Sequence, residues 1–148
     1  MRVINKYGFI FISIIMFGCD INDDTDYTEF VYRNESSHYI EVEAFNNANS
    51  NVRIRTFDLN TGEEEIFLQQ PENWTGPLEI PPFFGTDSVI TIFDDTLAIT
   101  FEPGRLDGNP MRIDNYKLLE GEEDPYVYLF EFTNEDYERA LERGRVIN

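Results

Sequence analysis

Cysteine and histidine are almost absent from this chain of 148 residues, because each occurs once, as Cys19 and His38. One thiol excludes a disulfide within a single chain, and one histidine excludes the zinc sites that are built from several such ligands. A lone histidine that opens an expected strand also has no cysteine in the expected domain with which to form a nucleophilic pair. We therefore predict that His38 is a surface or strand-edge side chain, and that the fold depends on core packing alone.

Recognisable catalytic motifs are also missing. The sequence contains no Gly-x-Ser-x-Gly elbow, no glycine-rich phosphate loop and no His-Glu-x-x-His pair. We therefore predict a non-catalytic protein without a cofactor. A carboxylate-dependent glycan hydrolase stays open as an alternative, because a pair of acids can suffice for that chemistry. Asp94, Asp95 and Glu102 lining one concave pocket would favour it.

Positive charge is scarce, with 11 basic residues against 29 acidic ones and a net charge of −18. Such a field disfavours nucleic acid and anionic headgroups as partners. The acidic runs Asp94-Asp95, Glu63–Glu65 and Glu120–Asp124 lack the ligand order of an EF-hand, so we predict solvated turns and no metal site. An inhibitor or immunity-type protein is a further alternative, in which the acidic loop 106–124 would plug a basic cleft.

The amino terminus carries an export signal. Arg2 and Lys6 precede an uncharged, apolar run from Tyr7 to Phe17. That run has about eleven residues, whereas a membrane-spanning helix needs about twenty. A basic segment followed by a short apolar segment is typical of a secretory signal peptide. We predict that residues 1–18 are this signal.

The residues Met16-Phe17-Gly18-Cys19 resemble the bacterial lipobox, in which an apolar and a small residue lead into a cysteine. The resemblance implies that Cys19 accepts a diacylglycerol, that a peptidase cuts after Gly18, and that the new amino group is acylated. Acyl chains on one residue are enough for stable anchoring to membrane lipid. Without Arg2 and Lys6 the chain has 9 basic residues against 29 acidic ones, a net charge of −20.

Residues 19–29 form an acidic stretch without periodicity, and we expect a flexible tether between the lipid and the domain. Acidic residues directly after a lipidated cysteine resemble the export signal of surface lipoproteins in the Bacteroidota. The resemblance implies a lipid-anchored protein of the outer membrane, and a periplasmic or a surface-exposed position stays open.

Residues 30–148 are predicted to form one mainly β domain, since an aromatic fraction of 15% is too high for a disordered acidic chain. Short runs of β-forming residues alternate with turns, which favours an antiparallel β-sandwich or open barrel of about seven strands. We expect one hairpin around Asn60-Thr61-Gly62 and another around Asp94-Asp95-Thr96. The apolar phase changes between Ile54 and Phe57, which indicates a β-bulge near Thr56. The strand Tyr126–Phe132 is the richest in apolar residues and is expected to be central.

A short helix is predicted from Thr133 to Arg143. Thr133 and Asp136 have the spacing of a capping box, and Gly144 follows the last turn. Three turns are marginal for an isolated helix, so it should dock onto the sandwich next to the strand Tyr126–Phe132. Tyr137 and Leu141 are the expected anchors.

The stretches "DSVITIFDD" (87–95) and "YVYLFEFTNEDYERA" (126–140), with Asn109-Pro110 and Asn115-Tyr116 between them, are similar to small uncharacterised β-sandwich lipoproteins of the Bacteroidota. The resemblance implies the fold and the envelope location but no catalytic residues.

Binding is therefore the expected role, with an envelope protein or a glycan as partner. Trp74 lies in a loop rich in proline and glycine, and with Phe83 and Phe84 it could form an exposed ligand patch. The alternative is that the indole packs over one end of the sandwich. The triplets Asp87-Ser88-Val89 and Asp95-Thr96-Leu97 resemble O-glycosylation sites of Bacteroidota envelope proteins, and of the two acceptors Ser88 and Thr96 the turn residue Thr96 fits better.

Overall fold

The computed structural model describes residues 27–46, 52–70, 80–83, 85–104, 107–119 and 126–147. They form two sheets and one α-helix, so the predicted mainly β, sandwich-like fold is confirmed. The elements in chain order are β1 (Thr28–Asn34), β2 (Ile40–Asn46), β3 (Val52–Leu59), β4 (Glu64–Gln69), β5 (Ser88–Phe93), β6 (Leu97–Phe101), β7 (Lys117–Leu119), β8 (Tyr126–Phe132), α1 (Asn134–Arg143) and β9 (Arg145–Val146).

All seven expected strands are present, and β7 and β9 are additions that are too short to show a period in the sequence. One sheet has the order β4-β1-β8-β7 and the other has the order β3-β2-β5-β6-β9. Strand β8 is an inner strand, as predicted. It runs parallel to β1, whereas the sequence patterns indicated only antiparallel neighbours. A parallel pair needs a long connection, and here most of the domain lies between the two strands.

The β5–β6 hairpin is confirmed, with Asp94 and Asp95 at φ values of 49° and 56° in its turn. The hairpin predicted around Asn60-Thr61-Gly62 is wrong. Strand β3 pairs with β2, whereas β4 pairs with β1 in the other sheet. The turn itself is present, with Gly62 at φ 81°, but it carries the chain from one sheet to the other.

The predicted bulge is present two residues before Thr56. Ala44 pairs with Arg55 and Phe45 pairs with Arg53, so Ile54 is the extra residue of β3. Because of this extra residue, the Arg55 side chain points toward the space between the two sheets. Its guanidinium lies 4.4 Å from the centre of the Phe67 ring on β4, and it closes the sandwich edge between the two sheets.

The core is aromatic and lies between the two sheets. Tyr32 of β1 is fully buried, and rings from both sheets and from the loop before β5 surround it. Its ring neighbours within 6.5 Å are Phe57, Phe67, Phe83, Tyr116, Phe130 and Phe132. Because the chain has no disulfide, this burial of large apolar rings is the main stabilising contribution.

Helix α1 begins after Thr133 with the predicted capping box. The Asp136 carboxylate accepts hydrogen bonds from the Thr133 backbone N–H at 2.8 Å and from its hydroxyl at 3.0 Å. The docking residues differ from the prediction. Ala140 is fully buried and Tyr137 packs on the core, whereas Leu141 is 55% exposed. The helix contacts β6 more than β8.

Gly144 follows the last turn of α1, at a position where no side chain fits. A Cβ at this position would lie 2.4 Å from the Ala140 carbonyl oxygen and 2.5 Å from that of Ala98 on β6. The helix terminus and the strand therefore approach each other at bare backbone. No helix among the described residues is long and apolar enough to cross a membrane.

Candidate functional site

The outer face of the four-stranded sheet carries a continuous set of apolar side chains. Phe30, Tyr32 and Tyr128 point into the core, so the residues between them along β1 and β8 point outward. The strand register places these outward residues side by side across the sheet. We call the apolar ones the outer strip, and they are Val31, Ile66, Leu68, Leu119, Val127 and Leu129.

The outer strip is buried in its middle and open at its flanks. Val31 and Leu129 are 6% and 3% exposed, whereas Ile66, Leu68 and Leu119 are 51%, 66% and 38% exposed. The solvent face of an antiparallel sheet edge is normally polar. The exposed apolar side chains therefore form two groups, Ile66 with Leu68 on β4 and Leu119 on β7. Exposed apolar side chains with a polar border are typical of interaction surfaces.

A row of alternating charges borders the outer strip, and we call it the charge row. Its ion pairs lead from Glu64 on β4 through Arg33 on β1 and Glu131 on β8 to Lys117 on β7. The Lys117 backbone is level with Leu129, and its side chain reaches across to Glu131. The Arg33 Nε atom lies 2.6 Å from Glu64 and its Nη1 atom lies 3.9 Å from Glu131. The hydrogen bond with Glu64 raises the pKa of Arg33 above its ordinary value. The row holds two acids and two bases, but Glu35 also lies 3.8 Å from Arg33 and Glu29 points outward on β1, so this face keeps a negative charge.

A cavity of about 390 Å³ opens at the end of the sandwich where β5 begins, and we call it the Arg112 cavity. This volume is within the range of small-molecule sites. Asp87 and Arg112 supply its charged groups, and Arg112 Nη2 lies 2.6 Å from the Asp114 carboxylate. The other lining residues are Gly85, Thr86, Pro103, Gly104 and Met111.

His38 takes part in a structural cluster. Its Nδ1 lies 2.6 Å from Asp94 Oδ2, and the other carboxylate oxygen accepts the Tyr39 backbone N–H at 3.0 Å. The imidazole stacks on Tyr137 of α1, with ring centroids 3.6 Å apart. The cluster joins the β5–β6 turn to the helix, so it accounts for His38 without a catalytic role.

The acids that could support hydrolysis do not meet. Asp94 and Asp95 lie in the β5–β6 turn, whereas Glu102 follows the far end of β6. Glu102 lines a smaller cleft of about 160 Å³ together with Arg143 and Arg145. Within the described ranges, no three acidic, histidine or cysteine side chains are grouped as a metal site would require.

The described part of the acidic loop 106–124 is packed rather than free. The buried Asn109 side chain donates to the Glu102 carbonyl at 3.0 Å and accepts the Met111 backbone N–H at 2.9 Å. Met111 and Tyr116 are buried in the core. Residues 107–119 contain two acids, Asp107 and Asp114, and both are exposed. This arrangement gives little support to a plug for a basic cleft.

Of the predicted site residues, the structure describes Phe83, Ser88 and Thr96, and the two possible acceptors Ser88 and Thr96 lie at opposite ends of β5. Phe83 is 1% exposed in the core, so its place in an exposed ligand patch is wrong. Trp74 and Phe84 lie outside the described residues, as do Gly18, Cys19, the signal peptide and most of the tether. Thr96 is exposed in the β5–β6 turn, and Ser88 is partly exposed at the start of β5.

Two apolar runs in the sequence indicate the outer strip. "YVYLFEF" is apolar at nearly every position, which indicates a strand with both faces covered. "EEIFLQ" places Ile66, Phe67 and Leu68 in succession, although only one of its faces meets the core.

Comparison with known proteins finds no match for this chain among family models, curated proteins or solved structures.

Proposed function

We propose that this chain is a lipid-anchored, non-catalytic lipoprotein of the outer membrane, whose domain binds a protein partner through the outer strip. The lipobox resemblance of Met16–Cys19 and the short apolar run before it support the anchor. The outer strip supports the binding role, and it is the observation on which the proposal rests.

The outer strip has the composition of a protein interface. Ile66, Leu68 and Leu119 offer exposed apolar area, and burying such area contributes about 25 cal/mol per Å². The charge row gives the polar border that surrounds the apolar centre of many interfaces. Arg33 and Lys117 offset two of the four acids on this face, so the approach of a partner meets less repulsion than four uncompensated acids would produce.

The hydrolase alternative receives less support. A glycosidase needs two carboxylates about 5–10 Å apart across one bound sugar. Asp94 and Glu102 lie at opposite ends of β6 instead. The inhibitor alternative is weakened in the same way, because residues 107–119 are anchored by Asn109.

Glycan binding is the second candidate, and the Arg112 cavity favours it. Asp87 and Arg112 together present acceptor and donor groups beside the apolar Met111 and Pro103. Sugars need this combination of hydroxyl partners and an apolar wall. A thermal-shift screen with mono- and disaccharides tests the idea. A shift that Arg112→Ala removes would establish the site, and the absence of any shift would exclude it for the sugars tried.

The main proposal is tested by the size of the native complex that the anchored chain forms in its membrane. Solubilised membranes should yield a complex larger than one chain. Leu68→Asp, in the outer strip, should reduce it to the single chain because a carboxylate would be buried there. Leu141→Asp introduces the same charge at a similarly exposed leucine on α1, and it should leave the complex intact. Equal behaviour of the two variants would contradict the proposal.

A further inference from the structure

The arrangement of charges on the outer face points to a second copy of this chain as its partner. We propose that two copies pair face to face through the outer strip and the charge row. This inference rests on the proposed function, since it uses the same surface, and it adds the identity of the partner.

The strand directions suit a twofold axis. Strands β1 and β8 run parallel at the centre of the sheet, and β4 and β7 run antiparallel to them on either side. An axis parallel to the strands, lying between two facing sheets and midway between β1 and β8, exchanges β1 with β8 and β4 with β7. The sequence of strand directions across the sheet is the same from β4 to β7 as from β7 to β4. Two copies can therefore face each other with their strands aligned, as sheets in sandwiches do.

The charge row is self-complementary under this rotation. It reads acid, base, acid, base from Glu64 to Lys117. In the pair, Arg33 of one copy faces Glu131 of the other on the same level, and Glu64 faces the ammonium of Lys117, whose backbone lies one level away beside Leu129. Every contact across the row therefore joins opposite charges, and each contact occurs twice, as an isologous interface requires.

The two exposed leucines at the flanks match under the same rotation. Leu68 and Leu119 lie on one level of the sheet, because Leu68 pairs with Glu29, Glu29 with Val127 and Val127 with Leu119. The rotation places Leu68 of one copy against Leu119 of the other, and both leucines are exposed. It places Glu29 against Val127 and Ile66 against Lys117, and it relates Val31 to Leu129, which are both buried in the single chain, so the apolar contact lies at the flanks.

The size of the face predicts a weak dimer. Four strands about 4.8 Å apart, of which β7 has only three residues, cover about 300 Å² per copy. Standard stable interfaces bury about 800 Å² per partner. Pairing should therefore be weak in dilute solution and stronger where anchoring confines copies to one membrane, because tethering raises the effective concentration.

Charge exchange tests the pairing directly on the full chain purified in detergent. Glu64→Lys alone places two ammonium groups opposite each other across the interface, and Lys117→Glu alone places two carboxylates opposite each other. Each variant alone should associate at least tenfold more weakly than the wild-type chain in sedimentation equilibrium. In an equal mixture of the two variants, a mixed pair contains one copy of each. Positions 64 and 117 then both carry ammonium groups in one copy and both carry carboxylates in the other, so association should recover. The exchange Arg33→Glu with Glu131→Arg provides a second, independent pair of variants should either of the first two fail to fold.

Zero-length carbodiimide cross-linking supplies the geometry. Glu64 and Lys117 lie on strands β4 and β7, which are about 14 Å apart within one copy. A mixture of isotopically heavy and light chains should give a heavy–light Glu64–Lys117 peptide. A wild-type chain that stays monomeric at millimolar concentration, or a mixture no better than its single variants, overturns the inference.

The two proposals fail in different ways. If Leu68→Asp dissociates the membrane complex but association does not recover in the mixture of charge-exchange variants, another protein occupies the outer strip. The proposed function then stands and the self-pairing is wrong. If neither experiment shows an effect, both are wrong.

Discussion

The hydroxyl oxygens of Tyr32 and Tyr116 lie 2.6 Å apart in the core, although the two residues are 84 positions apart in the chain. The Tyr116 hydroxyl donates to the Pro110 carbonyl, also at 2.6 Å, so the Tyr32 hydroxyl is the donor to Tyr116. This short chain of hydrogen bonds ties β1 to the loop before β7. It satisfies two polar groups that would otherwise be costly to bury.

The order of the hydrogen bonds predicts unequal effects of the two hydroxyls on stability. Tyr116→Phe leaves the Tyr32 hydroxyl and the Pro110 carbonyl without partners and should cost about 2–3 kcal/mol. Tyr32→Phe leaves the Tyr116–Pro110 bond intact and should cost about 1 kcal/mol. Urea unfolding of both variants and the double variant measures the difference. An equal cost for the two single variants would contradict the inferred direction of donation.

The same pair predicts a loss of stability in alkali. Burial raises the pKa of both Tyr32 and Tyr116 above the ordinary value of about 10. The unfolded chain releases these protons from about pH 10 upward while the folded chain keeps them. Stability should therefore fall as pH rises above about 10, by up to about 1.4 kcal/mol per pH unit for each tyrosine.

Tyr32→Phe/Tyr116→Phe is the matched control for this pH dependence. The double variant should be less stable near neutral pH, but its free energy of unfolding should fall less steeply in alkali. Urea unfolding on both sides of about pH 10 measures the two slopes. Identical slopes would show that other groups cause the alkaline loss.

The junction of α1 and β6 predicts that Gly144 matters more than Leu141. Gly144→Ala forces its Cβ against two carbonyl oxygens and should lower the melting temperature clearly. Leu141→Asp changes a side chain that is 55% exposed and should alter stability by no more than about 0.5 kcal/mol. Thermal unfolding of both variants is the measurement. A large loss with Leu141→Asp would restore the docking role that the helical pattern suggested.

The proposed anchor predicts that the Cys19 thiol determines how the chain partitions. Cys19→Ser removes the proposed acyl acceptor, and the chain should move from the detergent phase to the aqueous phase on phase partitioning. Met16→Leu keeps the lipobox pattern and should leave the chain in the detergent phase. A Cys19→Ser chain that still partitions with detergent would contradict lipidation at this residue.

Local patterns were sufficient wherever the structure depends on neighbours in the chain. Asp94-Asp95-Thr96 predicted the β5–β6 hairpin, and Thr133 with Asp136 predicted the helix start. These features arise from turn chemistry and capping within a few residues. The bulge in β3 was visible for the same reason, since it displaces the phase of the apolar residues.

The pairing of strands that are distant in the chain could not be predicted from local patterns. Asn60-Thr61-Gly62 has the same turn residues whether β3 and β4 pair or cross between sheets, and only the long-range pairing of β1 with β4 decides. Leu141 shares a helical side with Ala140, but the close approach at Gly144 determines which of them is buried. The apolar runs of β4 and β8 indicate apolar outer faces, but which of these residues lie side by side depends on the register of four strands, which no local pattern supplies.

Photo-cross-linking of the full chain in cells tests the central claim most directly. A photoreactive phenylalanine at position 68 lies in the outer strip, and the same residue at position 141 lies on an exposed part of α1. Position 68 should give a discrete protein adduct, with the mass of two chains if the partner is a second copy, and position 141 should give none. Adducts of equal yield at both positions, or adducts with lipid alone at position 68, would contradict protein binding through the outer strip.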